Sequence, residues 1–165
     1  MPYCVAVRRT VPEELPPHAA WVGTMDALPR LLSEADVLVL CCPLTPQTRG
    51  MIDAGRLKLM KPGSLIVNVA RGPVIDDEAL IAALREERIG GAALDVFATQ
   101  PLVPDHPYFG FDNVLITPHM AGITEESMMR MGVGAADEVL RVLAGELPVN
   151  LRNPEAVQLY RKRFG

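Results

Sequence analysis

The chain has 165 residues and a net charge of −4, and 49% of its residues are hydrophobic. This length and composition fit one ordinary domain with a substantial buried core. Its Lys and Arg residues are scattered and no apolar run is long enough to span a bilayer, which argues against nucleic acid or membrane as the main partner. The N-terminal segment becomes charged too soon for a signal peptide, so we expect a soluble, cytoplasmic protein.

Short apolar segments alternate with helical patterns along the chain. The segments predicted as strands are residues 3–7, 19–23, 36–42, 64–69, 91–96 and 113–118. The predicted helices are residues 24–35 with Thr24 as the cap, a short helix opened by Asp53 and ended by residues 61–63, residues 76–87, and residues 124–143. The proline-rich segment 97–112 is long enough to be a functional loop. Residues 153–165 are predicted to form a short basic helix.

Strands that are apolar on both faces and alternate with helices predict a doubly wound parallel sheet that is covered on both sides. Ligands of such sheets bind beyond the carboxyl ends of the strands. The polar groups at those ends are Arg8, Arg9, the segment 43–48, Arg71, Asp95 and His119. We therefore predict an α/β fold in which these groups converge on one edge, each from a different strand.

The three cysteines offer no sign of a metal site or a disulfide framework. Cys4, Cys41 and Cys42 lie within or beside apolar runs, without a CxxC pair or a spacing typical of metal ligands. We interpret them as reduced, buried thiols and expect no bound metal.

Four segments resemble a known family. They are "CCPLTPQTRGMID", "MKPGSLIVNVARGPVIDDEALIAAL", "GGAALDVF" and "NVLITPHMAG", and they follow one another in matching order and spacing. The family is the D-isomer-specific 2-hydroxyacid dehydrogenases, whose nucleotide-binding domain this chain resembles from Tyr3 to about Asn150. The resemblance implies a Rossmann-like, incomplete NAD(P)-binding domain over residues 1–150, with residues 151–165 as a tail. It also implies hydride transfer between a nicotinamide cofactor and a 2-keto or 2-hydroxy acid.

The resemblance assigns three catalytic positions. Arg71 matches the arginine that grips the substrate carboxylate, a task that suits a planar guanidinium fork. His119 matches the proton donor, because an imidazole titrates near neutrality. Gln100 stands where the family usually has a glutamate, so it orients the ring without adding charge. The alternatives are that Arg71 is a surface charge and His119 a hydrogen-bonded residue at a strand end. His18 and His106 lie in proline-flanked loops and are expected to face solvent.

Further matches would line a cofactor cleft. Asp95 matches the residue that holds the nicotinamide carboxamide; the alternative is a plain strand-end cap. The other residues expected along the cleft are Pro43, Thr48, Val69, Ala70, Ala121 and Gly122. Arg8 and Arg9 follow the first strand, where an acidic residue would accept a ribose hydroxyl, so they favour NADP over NAD. Alternatively, they are two solvated arginines that open a loop.

One departure from the family concerns the phosphates. A dinucleotide site needs a glycine-rich turn between a strand and a helix, and none is present in this sequence. "MGVGAADEV" at 131–139 contains GxG, but we reject it because it lies inside the last predicted helix. The family's first strand, its helix and the substrate domain have no counterpart here. Because that strand is central in the family, we expect a gap between strands 3–7 and 36–42 that closes up, is filled by a partner or stays open.

Three functions fit these residues. The first is an NAD(P)-dependent dehydrogenase of hydroxypyruvate or glyoxylate that works only when a second polypeptide supplies the missing parts. The second is a catalytically silent association module, since the family dimerises through this domain. The third is a remnant of a formate dehydrogenase, because such enzymes also carry a glutamine at the position of Gln100. The expected partners are a small 2-keto acid and either a second copy in a homodimer or a complementing N-terminal half.

Overall fold

Parallel strands form two separate sheets in the computed structural model, which describes residues 3–164. The first sheet pairs β1 (Cys4–Val7) with β2 (Ala19–Gly23). The second has the order β3-β4-β5-β6 and consists of Val37–Leu40, Leu65–Asn68, Gly91–Leu94 and Val114–Ile116. Each ladder of these sheets is parallel. The predicted α/β class with parallel sheets is therefore confirmed.

The helices lie where the sequence predicted them. They are α1 (Leu28–Glu34), α2 (Ala54–Leu57), α3 (Asp77–Arg85), α4 (Glu125–Leu143) and α5 (Val157–Phe164). Side chains of Asp53, Asp76 and Thr124 cap α2, α3 and α4 by accepting from backbone N–H groups of the first turn. The first helix starts later than predicted, since a 3-10 turn follows Thr24, which makes no side-chain cap. Pro29 suits this later start because a first-turn residue needs no N–H partner.

The chain divides into two compact units, the first ending at Ala121 and the second beginning at Gly122. All strands and α1 to α3 belong to the first unit. Apolar side chains of α1, α2 and α3 share one core with alternate residues of the four-stranded sheet. The most deeply buried of these side chains are Leu32, Ile52, Leu57, Ile66, Val74, Leu80 and Ile89.

The two faces of the four-stranded sheet differ in burial. In β3, Leu38 and Leu40 are buried, whereas Val37 and Val39 are 51% and 54% exposed. Leu115 of β6 is also exposed. Successive side chains of a strand point to opposite faces, so the helices of the first unit cover one face. Because α1, α2 and α3 all contribute to a single core, the coverage of the second face stays a prediction.

No strand of the described residues fills the predicted gap between β1 and β3. No ladder among the described residues joins the two sheets. Val5 and Val7 of β1 nevertheless pack against the core that β3 also contributes to. Within residues 3–164, β1 and β3 thus each keep one edge without a strand partner.

The second unit contains α4 and α5. Thr124 and Ser127 form a reciprocal capping box at the start of α4. Gly132 and Gly134 of the rejected GxG motif lie inside this helix, as predicted. The short basic helix predicted in the tail is confirmed by α5. None of the helices in the described part of the chain has both the length and the apolar character to span a membrane.

Candidate active site

The carboxyl ends of β3 and β4 border an open cleft of about 530 Å³. The residues that line it are Cys41, Cys42, Pro43, Leu44, Val69, Ala70 and Arg71. The loop after β3 is fixed by Thr48, whose hydroxyl donates to the Pro43 carbonyl at 2.7 Å and accepts from the Thr45 backbone N–H at 2.8 Å. Pro43, Val69 and Ala70 were predicted along a cofactor cleft and border this one, while Thr48 holds the wall in place.

Buried Asn68 builds the turn that presents Arg71. Its Oδ1 accepts from the Ala70 backbone N–H at 3.0 Å, and its Nδ2 donates to the Arg71 carbonyl at 3.2 Å. The exposed side chain of Arg71 donates to the Ala70 carbonyl at 2.6 Å. The sequence reasoning missed Asn68, although an amide inside the apolar segment "SLIVNV" was a usable signal. A buried polar side chain has to find hydrogen-bond partners, and here both lie in the Arg71 turn.

The Arg71 turn lies against the beginning of the loop 97–112. A Cβ atom added to Gly72 would overlap the backbone carbonyl of Phe97 and the nitrogen of Ala98. Glycine is therefore required for this close approach of two backbones. The side chain of Phe97 is itself buried. This contact brings the turn that presents Arg71 against the loop that carries Gln100.

Gln100 and His119 contact each other, as the sequence predicted. Nδ1 of His119 lies 3.3 Å from Oε1 of Gln100. An amide oxygen only accepts hydrogen bonds, so this contact is a hydrogen bond in the tautomer that carries its proton on Nδ1. Nε2 is then left to act as an acceptor.

Buried Asp95 fixes the turn that carries His119. One carboxylate oxygen accepts from the Thr117 hydroxyl at 2.6 Å and from the Met120 N–H at 2.7 Å. The other accepts from the Ala121 N–H at 3.0 Å. His119 has a φ of 59° inside this turn, a left-handed conformation that a non-glycine residue adopts only with support from its surroundings. Thr117 was not predicted, and its position just before "PHMAG" is the only sequence signal for it.

These hydrogen bonds also determine the charge of Asp95. Burial alone would raise its pKa, but the hydrogen bonds from Thr117 and the two backbone amides, together with nearby His119, hold the pKa of Asp95 below its usual value. Asp95 is therefore a carboxylate at neutral pH. Three of its four acceptor positions are occupied, which leaves one on Oδ2. Contact with a nicotinamide carboxamide stays a prediction.

The structure contradicts the predicted solvent exposure of one histidine. His106 was expected to face solvent, but its side chain is only 16% exposed and its Nε2 lies 3.3 Å from the carboxylate of Asp77. The reason is local: Pro107 opens a 3-10 turn that His106 caps, so the ring folds back onto the protein. His18 is exposed, as predicted.

The predicted burial of the cysteines is wrong for two of the three. All three are free, as expected, but Cys4 and Cys41 are exposed rather than buried. Cys4 lies on β1, which has one open edge, and Cys41 follows β3 at the cleft. Cys42 is partly buried, and this burial raises the pKa of its thiol. In the described part of the chain, no group of three or more histidine, cysteine or acidic side chains could hold a metal ion.

The other residues predicted to bind the cofactor lie outside the four-stranded sheet. Arg8 and Arg9 are exposed at the carboxyl end of β1, where the Arg8 backbone N–H donates to the Gly23 carbonyl at 3.0 Å. They belong to the two-stranded sheet, whereas Arg71 follows the four-stranded sheet. Gly122 begins the second unit, and its place along the cleft stays a prediction.

Comparison with known proteins identifies the family. Residues 3–121 match the family described as D-isomer specific 2-hydroxyacid dehydrogenase, NAD binding domain. A glyoxylate reductase of Aeropyrum pernix is 44% identical over 138 residues, covering 84% of this chain and 41% of that protein. An (S)-sulfolactate dehydrogenase of Chromohalobacter salexigens is 45% identical, covering 76% of this chain and 41% of that protein.

A solved structure agrees in fold. It is the D-isomer specific 2-hydroxyacid dehydrogenase from Xanthobacter autotrophicus Py2 in complex with NADPH and MES, with a TM-score of 0.76 and 32% identity. The match covers 92% of this chain and 70% of that chain. The present chain spans about two fifths of the length of the curated relatives named above. It belongs to the D-isomer specific 2-hydroxyacid dehydrogenase family and carries sequence of the family's NAD-binding domain.

Proposed function

We propose that this chain supplies the catalytic residues of an NAD(P)-dependent dehydrogenase that interconverts a 2-keto acid and a 2-hydroxy acid of the glyoxylate or hydroxypyruvate type. The observation that carries the proposal is the 3.3 Å contact between Nδ1 of His119 and Oε1 of Gln100. The loop that carries Gln100 rests against the Arg71 turn, so a carboxylate-binding group and a proton donor belong to one neighbourhood. Relatives named glyoxylate reductase support this class of substrate.

The described residues fit the nicotinamide end of a dinucleotide. The cleft beside Pro43 and Val69 is open, and Asp95 keeps one acceptor position for a carboxamide N–H. The pyrophosphate would need a glycine-rich turn, which is not found among residues 3–164. We therefore propose that the phosphates are held by a segment outside the described residues.

Each catalytic side chain would have a separate task. When bound, the nicotinamide supplies or accepts the hydride. The guanidinium of Arg71 would leave the Ala70 carbonyl and hold the substrate carboxylate through two parallel hydrogen bonds. The ring of His119, protonated also at Nε2, would give that proton to the keto oxygen as it becomes a hydroxyl, and Nε2 would accept it in the reverse direction. Gln100 holds the ring at Nδ1, so the proton moves at a fixed position.

The cofactor we propose is NADP rather than NAD. Arg8 and Arg9 are exposed at the end of β1, where two guanidinium groups suit a 2′-phosphate better than a ribose hydroxyl. The NADPH bound in the related Xanthobacter enzyme supports this choice. A comparison of the KM for NADPH and for NADH in an active preparation tests it, and equal values would remove its basis.

We further propose that turnover needs a second polypeptide, either a complementing N-terminal half or a second copy of the chain in a homodimer. In this proposal, residues 1–150 are a partial NAD(P)-binding domain and residues 151–165 a tail. The open edges of β1 and β3 support the proposal, because one parallel strand from another segment would pair with both.

Reconstitution tests the function. The isolated chain should show little NADPH-dependent reduction of glyoxylate or hydroxypyruvate, and addition of the N-terminal part of a related glyoxylate reductase should restore it. Arg71→Ala should abolish the restored activity, whereas Arg85→Ala, which removes an exposed arginine of α3, should not. Turnover by the isolated chain would contradict the need for a partner. A folded but inactive complex would favour the silent association module.

A further inference from the structure

A second cluster of titratable side chains lies at the far end of the loop 97–112. The Tyr108 hydroxyl donates to Oδ1 of Asp77 at 2.7 Å, and Nε2 of His106 lies 3.3 Å from Oδ2. The Tyr108 backbone N–H donates to Nδ1 of His106 at 3.3 Å, and the centres of the two rings are 4.6 Å apart. We call Asp77, His106 and Tyr108 the loop anchor. The reaction proposed above uses none of them.

The loop anchor connects the loop to a rigid part of the first unit. Tyr108 is only 2% exposed and packs in the core. Burial and the neighbouring Asp77 raise the pKa of Tyr108, so its hydroxyl stays a neutral donor. Asp77 lies in the first turn of α3, where the helix dipole stabilises a carboxylate, and α3 is itself packed through buried Leu80 and Leu84.

Between its two ends the loop touches the core at Leu102, a partly buried side chain. Phe97 is buried at one end and Tyr108 at the other, whereas residues 98–101 and 103–105 are exposed. Gln100 lies in this exposed part, where its side chain meets Nδ1 of His119. An exposed segment gains little order from its own packing, so the position of Gln100 depends on Leu102 and on the attachments at the two ends of the loop.

We propose that the loop anchor positions Gln100 and, through Gln100, the imidazole ring of His119. Asp77, His106 and Tyr108 are thus positioning residues, since none of them contacts the reacting groups. The benefit for catalysis rests on the proposed function, but the effect on the His119 ring is a property of this chain alone.

The test follows the ring of His119 by NMR on the full chain. The chain has three histidines, so the ring nitrogen signals are few and His119→Gln assigns the one of interest. The pairing of Nδ1 with Oε1 of Gln100 requires the proton on Nδ1, and the fraction of that tautomer therefore reports this pairing. Gln100→Ala gives the value without the contact. Tyr160→Phe is the matched control, because it removes another hydroxyl that donates a hydrogen bond, in the second unit.

Tyr108→Phe should lower the Nδ1–H fraction of His119 part of the way to the Gln100→Ala value, because Leu102 still packs against the core. Amide hydrogen exchange of His106, whose backbone N–H donates to the Val103 carbonyl at 3.0 Å, should become about tenfold faster, the factor expected when one hydrogen bond to a charged group is lost. Tyr160→Phe should change neither quantity. Should Tyr108→Phe fold poorly, Asp77→Asn removes the charge while keeping one acceptor, and it should shift both quantities in the same direction.

Two results would overturn the proposal. One is faster exchange in the loop with the His119 tautomer unchanged, which would make the loop anchor purely structural. The other is no change in either quantity. Both readouts are independent of turnover, so a failure of the reconstitution experiment would leave this inference standing.

Discussion

The contact between Gly72 and the loop 97–112 gives a stability prediction whose size follows from the geometry. Gly72→Ala adds one methyl group where the backbone carbonyl of Phe97 and the nitrogen of Ala98 already lie. Carbon atoms need about 3.5–4.0 Å of separation, and backbone cannot move aside as a side chain does. The substitution must therefore separate the Arg71 turn from the loop.

Two opposing effects determine the magnitude. Gly72 does not have a left-handed φ, so replacement by alanine would otherwise stabilise the protein by about 0.4–1 kcal/mol through the unfolded chain. Forcing a methyl group into an occupied space costs about 1–3 kcal/mol. We expect a net loss of about 1–2 kcal/mol in the free energy of unfolding and a fall of several degrees in Tm.

Urea denaturation followed by circular dichroism measures this loss. Gly110→Ala is the matched control, because a Cβ there meets nothing within 4 Å and its φ is also ordinary. Gly110→Ala should leave stability unchanged within about 1 kcal/mol. If the two variants unfolded at the same urea concentration, the two backbones would not be in contact and the argument that joins Arg71 to Gln100 would fail.

Three further predictions concern the site and α4. Asp95→Asn should lower stability at pH 7 by about 1–3 kcal/mol. The pKa of Asp95 is depressed in the folded state. Its contribution to the free energy of unfolding is therefore present above the ordinary aspartate pKa and is lost as pH falls through the folded pKa. Stability should consequently fall less steeply with decreasing pH in this variant than in the exposed control Asp112→Asn. Gln100→Glu should raise the pH midpoint of the His119 ring titration in NMR, because a carboxylate would replace an amide 3.3 Å from Nδ1, and an unchanged midpoint would show that the two side chains do not meet in solution. Gly132→Ala should stabilise α4 by about 0.8–1 kcal/mol, since the glycine lies inside the helix with open space around it. Helical ellipticity during thermal unfolding measures this gain. A loss of helicity would contradict our rejection of the GxG sequence as a phosphate-binding turn.

The sequence predicted the strands and helices because each leaves a local pattern. Periodic apolar residues and the caps Asp53, Asp76 and Thr124 fixed the helix starts. The buried face of β3 could not be predicted in the same way. Val37, Leu38, Val39 and Leu40 are all apolar, so the strand carries no alternation that distinguishes its covered face from its exposed one.

Parts of the site left no comparable pattern because they depend on residues far apart in the chain. Asp95 and Thr117 are 22 residues apart, and Tyr108 and Asp77 are 31 residues apart. A proline next to His106 indicates a loop but does not say what the loop rests on. The contact between Gln100 and His119 was predictable only because a family resemblance had already assigned both positions.

The hydrogen bonds behind the candidate site explain how the first unit holds a defined arrangement of Arg71 and His119. Asn68 ends β4 and holds the Arg71 turn, while Asp95 follows β5 and holds the His119 turn. The backbone N–H of Asp95 donates to the Asn68 carbonyl at 3.0 Å, so the two supports belong to neighbouring strands of one ladder. Both side chains are buried and both find their partners within the first unit. Arg71 and His119 are thus supported from the buried ends of β4 and β5, independently of the exposed face of the sheet. Under the proposed function, loss of turnover in the isolated chain would then be a failure to bind cofactor and substrate, because the groups that support Arg71 and His119 are in place.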